Sequence, residues 1–113
     1  MDTRNKDSPI VYICSRFRGD IAHNTEMARR YSRFAIDRGC VPLTPHLWLP
    51  QLLSEDTERE MAIRMDLRLL ERCDELWVCG DEISEGMSRE IAHAGSIGLP
   101  IKYISEDQLY VRD

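Results

Sequence analysis

Apolar and polar positions along this chain fall into four short β-like runs separated by three helical patterns. The first run, Ile10-Val11-Tyr12-Ile13-Cys14, is β-branched and aromatic, which predicts a buried strand. From about Ile21 to Arg38, Met27, Ala28, Tyr31, Phe34 and Ala35 recur at helical spacing, and Gly39 ends the pattern. Cys40 to Leu43 predicts a second short strand, with Pro42 pointing to an edge or irregular position. A second helix is predicted from roughly Thr57 to Arg72, where Met61, Met65, Leu69 and Cys73 lie four apart and Glu60–Arg64 adds a helical ion pair. Glu75 to Cys79 reads as a buried strand turning at Gly80. A third helix spans about Glu85 to Ile97, followed by Gly98, Pro100 and a last strand, Ile101 to Ile104.

Near-continuous apolar strands alternating with helices imply an α/β fold, a three-layer, flavodoxin-like parallel sheet of four to five strands with helices on both faces. Right-handed crossovers favour the strand order 2-1-3-4. The expected organisation is a tail over residues 1–9, one domain over 10–104 and a C-terminal tail over 105–113. In such sheets ligands bind beyond the carboxyl ends of the strands. That directs attention to the loops Ser15–Asp20, Thr44–Asp56 and Gly80–Glu90. Pro45 and Pro50 bracket His46-Leu47-Trp48-Leu49, so the middle loop is no regular helix, and loops of this length are disproportionately functional.

Composition narrows the ligand. Twenty acids against fifteen Lys plus Arg give a net charge of −5, and the arginines are interleaved with acids. A nucleic-acid polymer calls for a basic stripe, so none is expected as a partner, whereas a small anion could be held by one or two arginines. No apolar run is long enough for a membrane span, and the first nine residues lack the apolar centre of a signal peptide. The four cysteines form no CxxC and read as buried free thiols of a reducing compartment, so a cytoplasmic location is expected. Their spacing relative to the three histidines does not suit a metal site, and no cofactor motif is present.

In the first loop, Ser15-Arg16-Phe17-Arg18-Gly19-Asp20, Arg18 offers a fork for phosphate oxygens and Gly19 allows close approach of the backbone; a solvated turn is the competing reading. Ser84 is the expected N-cap of the third helix, which puts Glu90 in its second turn, where the helix field favours an ionised carboxylate. Gly86 leaves room for a ligand there. By pattern alone Glu90 reads as an ordinary surface acid, Asp66 as an exposed acid within the second helix, and His46 as either a ligand contact or a loop cap.

The order of certain residues adds to this. Asp66, Asp74 through Val78, Ser84-x-Gly86-x-Ser88-x-Glu90 and Ala94-x-x-x-Gly98-x-Pro100-Ile101 together resemble the nucleoside 2-deoxyribosyltransferase-like superfamily, in particular its small uncharacterised domains and its nucleotide N-glycoside hydrolases. Tyr12-x-Cys14, Arg18-Gly19 and Thr44-x-His46 fit the same pattern. The resemblance implies a retaining reaction at the anomeric carbon of a nucleoside or nucleotide. Glu90 would be the nucleophile and Asp66 the group that protonates or places the departing base. Arg18, Gly19 and Ser84 would hold a 5′-phosphate, Tyr12 and His46 would flank base or sugar, and Ser15, Gly86 and Ser88 would complete the substrate-binding set. A homodimer or higher homo-oligomer is implied too, with Met61, Met65 or Trp48 as a candidate interface and burial of these in the monomer core as the stronger reading. The first loop departs from the hydrolases' Gly-Ser-x-Arg-Gly, which leaves hydrolase and transferase both open. The alternative function is a non-catalytic nucleotide-binding or sensing module. A receiver-like domain ranks last, because Cys14-Ser15 offers no acidic cluster after the first strand.

Overall fold

The computed structural model describes residues 8–111. Four parallel strands, β1 (Ile10–Cys14), β2 (Val41–Leu43), β3 (Glu75–Cys79) and β4 (Ile101–Ile104), form one sheet in the order β2-β1-β3-β4. The helices are α1 (Ile21–Asp37), α2 (Arg59–Leu70) and α3 (Glu85–Ser96). In β2, Val41 pairs with Ile10 and Leu43 with Tyr12, and Pro42 is accommodated because β2 is the edge strand and its missing N–H breaks no interior ladder.

Alternation along the strands sorts the core into two layers. Val11, Ile13, Trp77, Cys79 and Ile104 face α1, where they meet Tyr31, Phe34 and Ala35. Tyr12, Cys14, Leu76 and Val78 face the other way, onto Leu70 and Cys73 at the end of α2 and Met87 and Ala94 of α3. The sheet is thus covered on both faces, which is why its central strands carry no polar alternation. The Asp20 carboxylate accepts from the His23 N–H at 3.1 Å to cap α1, and the Ser84 hydroxyl accepts from the Met87 N–H at 3.3 Å to cap α3. Gly80, at φ +101°, makes the turn out of β3 in a backbone region closed to most side chains.

Four details differ from the sequence expectation. The buried stripe of α2 is Ile63, Asp66 and Leu70, while Met61 and Met65 are 38% and 42% exposed, so the four-apart methionine row faces solvent. Trp48 is likewise exposed rather than core. Glu60 does not pair with Arg64 but with Arg89 of α3, two nitrogens to two oxygens at 3.2 Å each, because α2 and α3 lie side by side. Beyond β4, the segment expected as a tail carries a 3₁₀ turn, Glu106–Tyr110, started by a Ser105–Gln108 capping box, and its Leu109 packs on the α1-side core. The expected N-terminal tail lies largely outside the described residues. No described helix is long and apolar enough to cross a membrane.

Candidate active site

At the carboxyl ends of β1 and β3 the first loop, the long middle loop, α2 and the start of α3 enclose a cleft of about 250 Å³. Its wall includes Ser15, Phe17 and Arg18 from the first loop, and His46, Leu49, Pro50, Leu53 and Glu55 from the middle loop. The middle loop reaches this position through two 3₁₀ turns, Pro45–Leu47 and Leu49–Gln51, each with proline near its start. A 2.6 Å hydrogen bond between the hydroxyls of Ser32 and Thr44 ties the loop's first residue to α1.

Both candidate carboxyl groups line the cleft and both are buried, Asp66 at 8% and Glu90 at 5% exposure. Neither is the surface acid that pattern alone suggested. Each occupies the middle of a helix's core stripe: Ile63–Asp66–Leu70 on α2 and Met87–Glu90–Ala94 on α3. The Tyr12 hydroxyl, on β1, donates to Glu90 Oε2 at 2.5 Å and holds the carboxyl from the sheet side.

Burial is the largest influence on both acids. It pushes Glu90 up to about 7, against the hydrogen bonds from Tyr12 and Cys14 that favour its ionised form. The helix field expected to keep Glu90 ionised is therefore outweighed by desolvation. Asp66 is pushed up to about 8, first by burial, then by the charge of Glu90, then by that of Glu55. At neutral pH Asp66 holds a proton while Glu90 shares its site between both forms. Burial also raises the Tyr12 hydroxyl and the Cys14 thiol well above their ordinary values, with the Glu90 charge next in size, so both remain proton donors.

Three buried side-chain atoms among the described residues have no hydrogen-bond partner: Ser15 Oγ, His46 Nδ1 and Asp66 Oδ1. All three residues line this cleft. An unpaired buried polar atom costs about 1–3 kcal/mol, and a ligand's donors and acceptors would relieve that cost. His46 packs its ring on Phe17 at 5.2 Å, and burial lowers its pKa to about 4, so it stays neutral. No described group of His, Cys, Asp and Glu is arranged to hold a metal, and the four cysteines are free thiols.

Residues 9–104 match the model of a family described as a domain of unknown function, DUF7768. The chain belongs to the DUF7768 family. No curated protein matches it. Among solved structures, the 2-deoxyribosyltransferase of the psychrotolerant bacterium Bacillus psychrosaccharolyticus superposes with a TM-score of 0.67 at 20% identity, over 85% of this chain and 72% of that one. The 2-deoxyribosyltransferase of Leishmania mexicana gives 0.56 at 18% identity, over 86% of this chain and 64% of that one. The DUF7768 domain therefore has the 2-deoxyribosyltransferase-like fold, and it spans less than two thirds of the Leishmania protein.

Within this DUF7768 domain the residues singled out from sequence do not all meet. Ser15, Arg18, His46, Asp66, Ser84, Gly86 and Glu90 share the cleft. Tyr12 is only 1% exposed, is not part of the cleft wall, and touches the Glu90 carboxylate from the sheet side. Gly19 and Ser88 are exposed and outside the cleft wall; Gly19, at φ +100°, turns the chain into α1. Sequence reasoning missed Glu55 and Arg59, which line the cleft at an i,i+4 spacing, and Phe17, which supports His46. The Glu55–Arg59 spacing is visible in the chain, but it straddles the start of α2 and was hidden by placing that helix two residues too early.

Proposed function

We propose that this domain cleaves the N-glycosidic bond of a nucleoside or nucleotide by a retaining mechanism, passing the sugar to water or to a second base. What carries the reading is the pair of buried carboxyl groups on one cleft, one bonded by Tyr12 and the other holding its proton at neutral pH. A retaining glycosidic enzyme needs this division of labour between two acids. The fold likeness to proteins named 2-deoxyribosyltransferases supports the same chemistry.

In this mechanism the ionised Glu90 attacks the anomeric carbon as the bond to the base breaks, and Asp66 gives its proton to the leaving base. The Tyr12 hydroxyl fixes Oε2, and the Cys14 thiol supports the same carboxyl from the sheet side. Water or an incoming base, deprotonated by Asp66, then attacks the glycosyl ester and releases Glu90. Neutral His46 and Ser15 offer hydrogen bonds to base and sugar, and Gly86, with nothing within 4 Å of where a Cβ would stand, leaves the α3 side open.

The test is incubation with a panel of nucleosides and 5′-monophosphates while free base is followed by chromatography. Base release by the native chain and none by Glu90→Ala, with the fold retained, is the expected result. Turnover that survives in Glu90→Ala removes Glu90 as nucleophile, and binding without release assigns the cleft to a sensing module instead. The same reading has the domain working as a homodimer or higher homo-oligomer through the exposed Met61, Met65 and Trp48 surface. A monomeric mass by light scattering across working concentrations would refute that part.

A further inference from the structure

At the outer part of the cleft two arginines from different elements converge on one carboxylate oxygen. Arg18 Nε, from the first loop, lies 3.5 Å from Glu55 Oε1, and Arg59 Nη1, from the first residue of α2, lies 3.6 Å from the same atom. All three side chains line the cleft wall, on which the buried Asp66 and Glu90 lie deeper.

These contacts are long for charge-assisted hydrogen bonds, which run about 2.7–2.9 Å. Neither guanidinium has a hydrogen bond within the described residues, so both forks, each with five N–H donors, are held by attraction alone. The Arg18 side chain is 58% exposed, Glu55 31% and Arg59 27%. Ion pairs this open are worth little and exchange readily. Two positive forks thus share one carboxylate, and the other exposed acid on the cleft wall is Glu85, at the start of α3. Glu55 is also the nearest model for what such a pair of forks accepts: an oxyanion.

We propose that Arg18 and Arg59 form a two-armed clamp for a phosphoryl group on the substrate, with Glu55 as the internal counter-ion that this group displaces. This rests on the nucleotide reading above and adds the specificity element: Arg59 and Glu55 select a phosphorylated over an unphosphorylated ligand. A phosphate monoester carries about two negative charges and three acceptor oxygens, enough to engage both forks where Glu55 engages neither at hydrogen-bond distance. Displacing Glu55 exchanges one anion for another. Asp66, whose proton is held partly by the Glu55 charge, thereby keeps an anion nearby when the substrate is in place.

The proposal is tested by calorimetry on the full chain carrying Glu90→Gln, so that nothing turns over, with common nucleosides and their 5′-monophosphates as paired ligands. Arg59→Ala is expected to weaken monophosphates about tenfold or more while leaving nucleosides unchanged, and Arg59→Lys to recover part of that loss. Glu55→Gln is expected to tighten monophosphates severalfold, again without effect on nucleosides. Equal loss for both ligand classes in Arg59→Ala would assign Arg59 a structural role and overturn the clamp. Weaker nucleoside binding in Glu55→Gln would make Glu55 a ligand contact and overturn its role as counter-ion. The two readings fail separately. Monophosphate selectivity that follows these variants without base release by the native chain leaves the clamp standing and removes the catalytic reading. Base release indifferent to phosphate and to Arg59 does the reverse.

Discussion

Replacing Asp66 by Asn removes a titrating proton from the buried stripe of α2 while keeping the size of the side chain. In the folded chain Asp66 titrates at about 8, against an ordinary value of 3.8. As pH rises, the unfolded chain gives up this proton first, so between about 4 and 8 the folded state holds more protons and native stability falls. At 1.36 kcal/mol per unit, the native chain loses roughly 1.4 kcal/mol of stability per pH unit from this group, about 4 kcal/mol between pH 4 and pH 7. Asn does not titrate and escapes that loss. Asp66→Asn should therefore match the native chain near pH 4 and gain on it steadily, reaching about 4 kcal/mol by pH 7, a large share of an ordinary domain's 5–15 kcal/mol. Urea unfolding followed by far-ultraviolet circular dichroism at pH 4 to 9 measures the difference, with an unchanged m-value confirming that the same surface is exposed. The same variant should lose base release by about 10²–10⁴-fold, the share supplied by general acid catalysis. A stability difference that stays flat across this pH range, or a variant less stable than the native chain at pH 8, would refute the buried, proton-holding Asp66 on which the mechanism depends.

Two other outcomes follow from the same geometry. The pH profile of kcat/KM should be a narrow bell, rising as Glu90 ionises near 7 and falling as Asp66 loses its proton near 8; an unbroken plateau to pH 10 would separate the rate from Asp66. Gly86→Leu should preserve or slightly raise thermal stability, since leucine is about 0.5–1 kcal/mol better than glycine in a helix, while lowering kcat/KM about a hundredfold by filling open space on the cleft. Unaltered kinetics in that variant would place the substrate elsewhere.

The sheet was legible because its strands are short apolar runs and two of its helices, α1 and α3, stop just before Gly39 and Gly98, which are local signals. Strand order followed from handedness once alternation was recognised. The site was legible only in part. Asp66 and Glu90 both line the cleft, yet pattern alone assigns them exposed surroundings, because an acid is counted as polar wherever it falls. The signal lay in their neighbours: Ile63 and Leu70 flank Asp66, and Met87 and Ala94 flank Glu90, at the same −3 and +4 offsets. Reading Met61, Met65 and Leu69 as the core row rotated α2 and hid this. The partnership of Tyr12 with Glu90 and of Arg18 with Glu55 depends on the docking of distant elements, which no local period encodes.

The hydrogen bond from Tyr12 to Glu90 joins residues 78 positions apart. It ties β1, which lies between β2 and β3, to α3, which packs on the α2-side face of the sheet. A carboxyl anchored in this way is assembled from elements far apart in the chain. Turnover would therefore report the complete native state, and recovery of base release after dilution from denaturant would time the last docking event in folding.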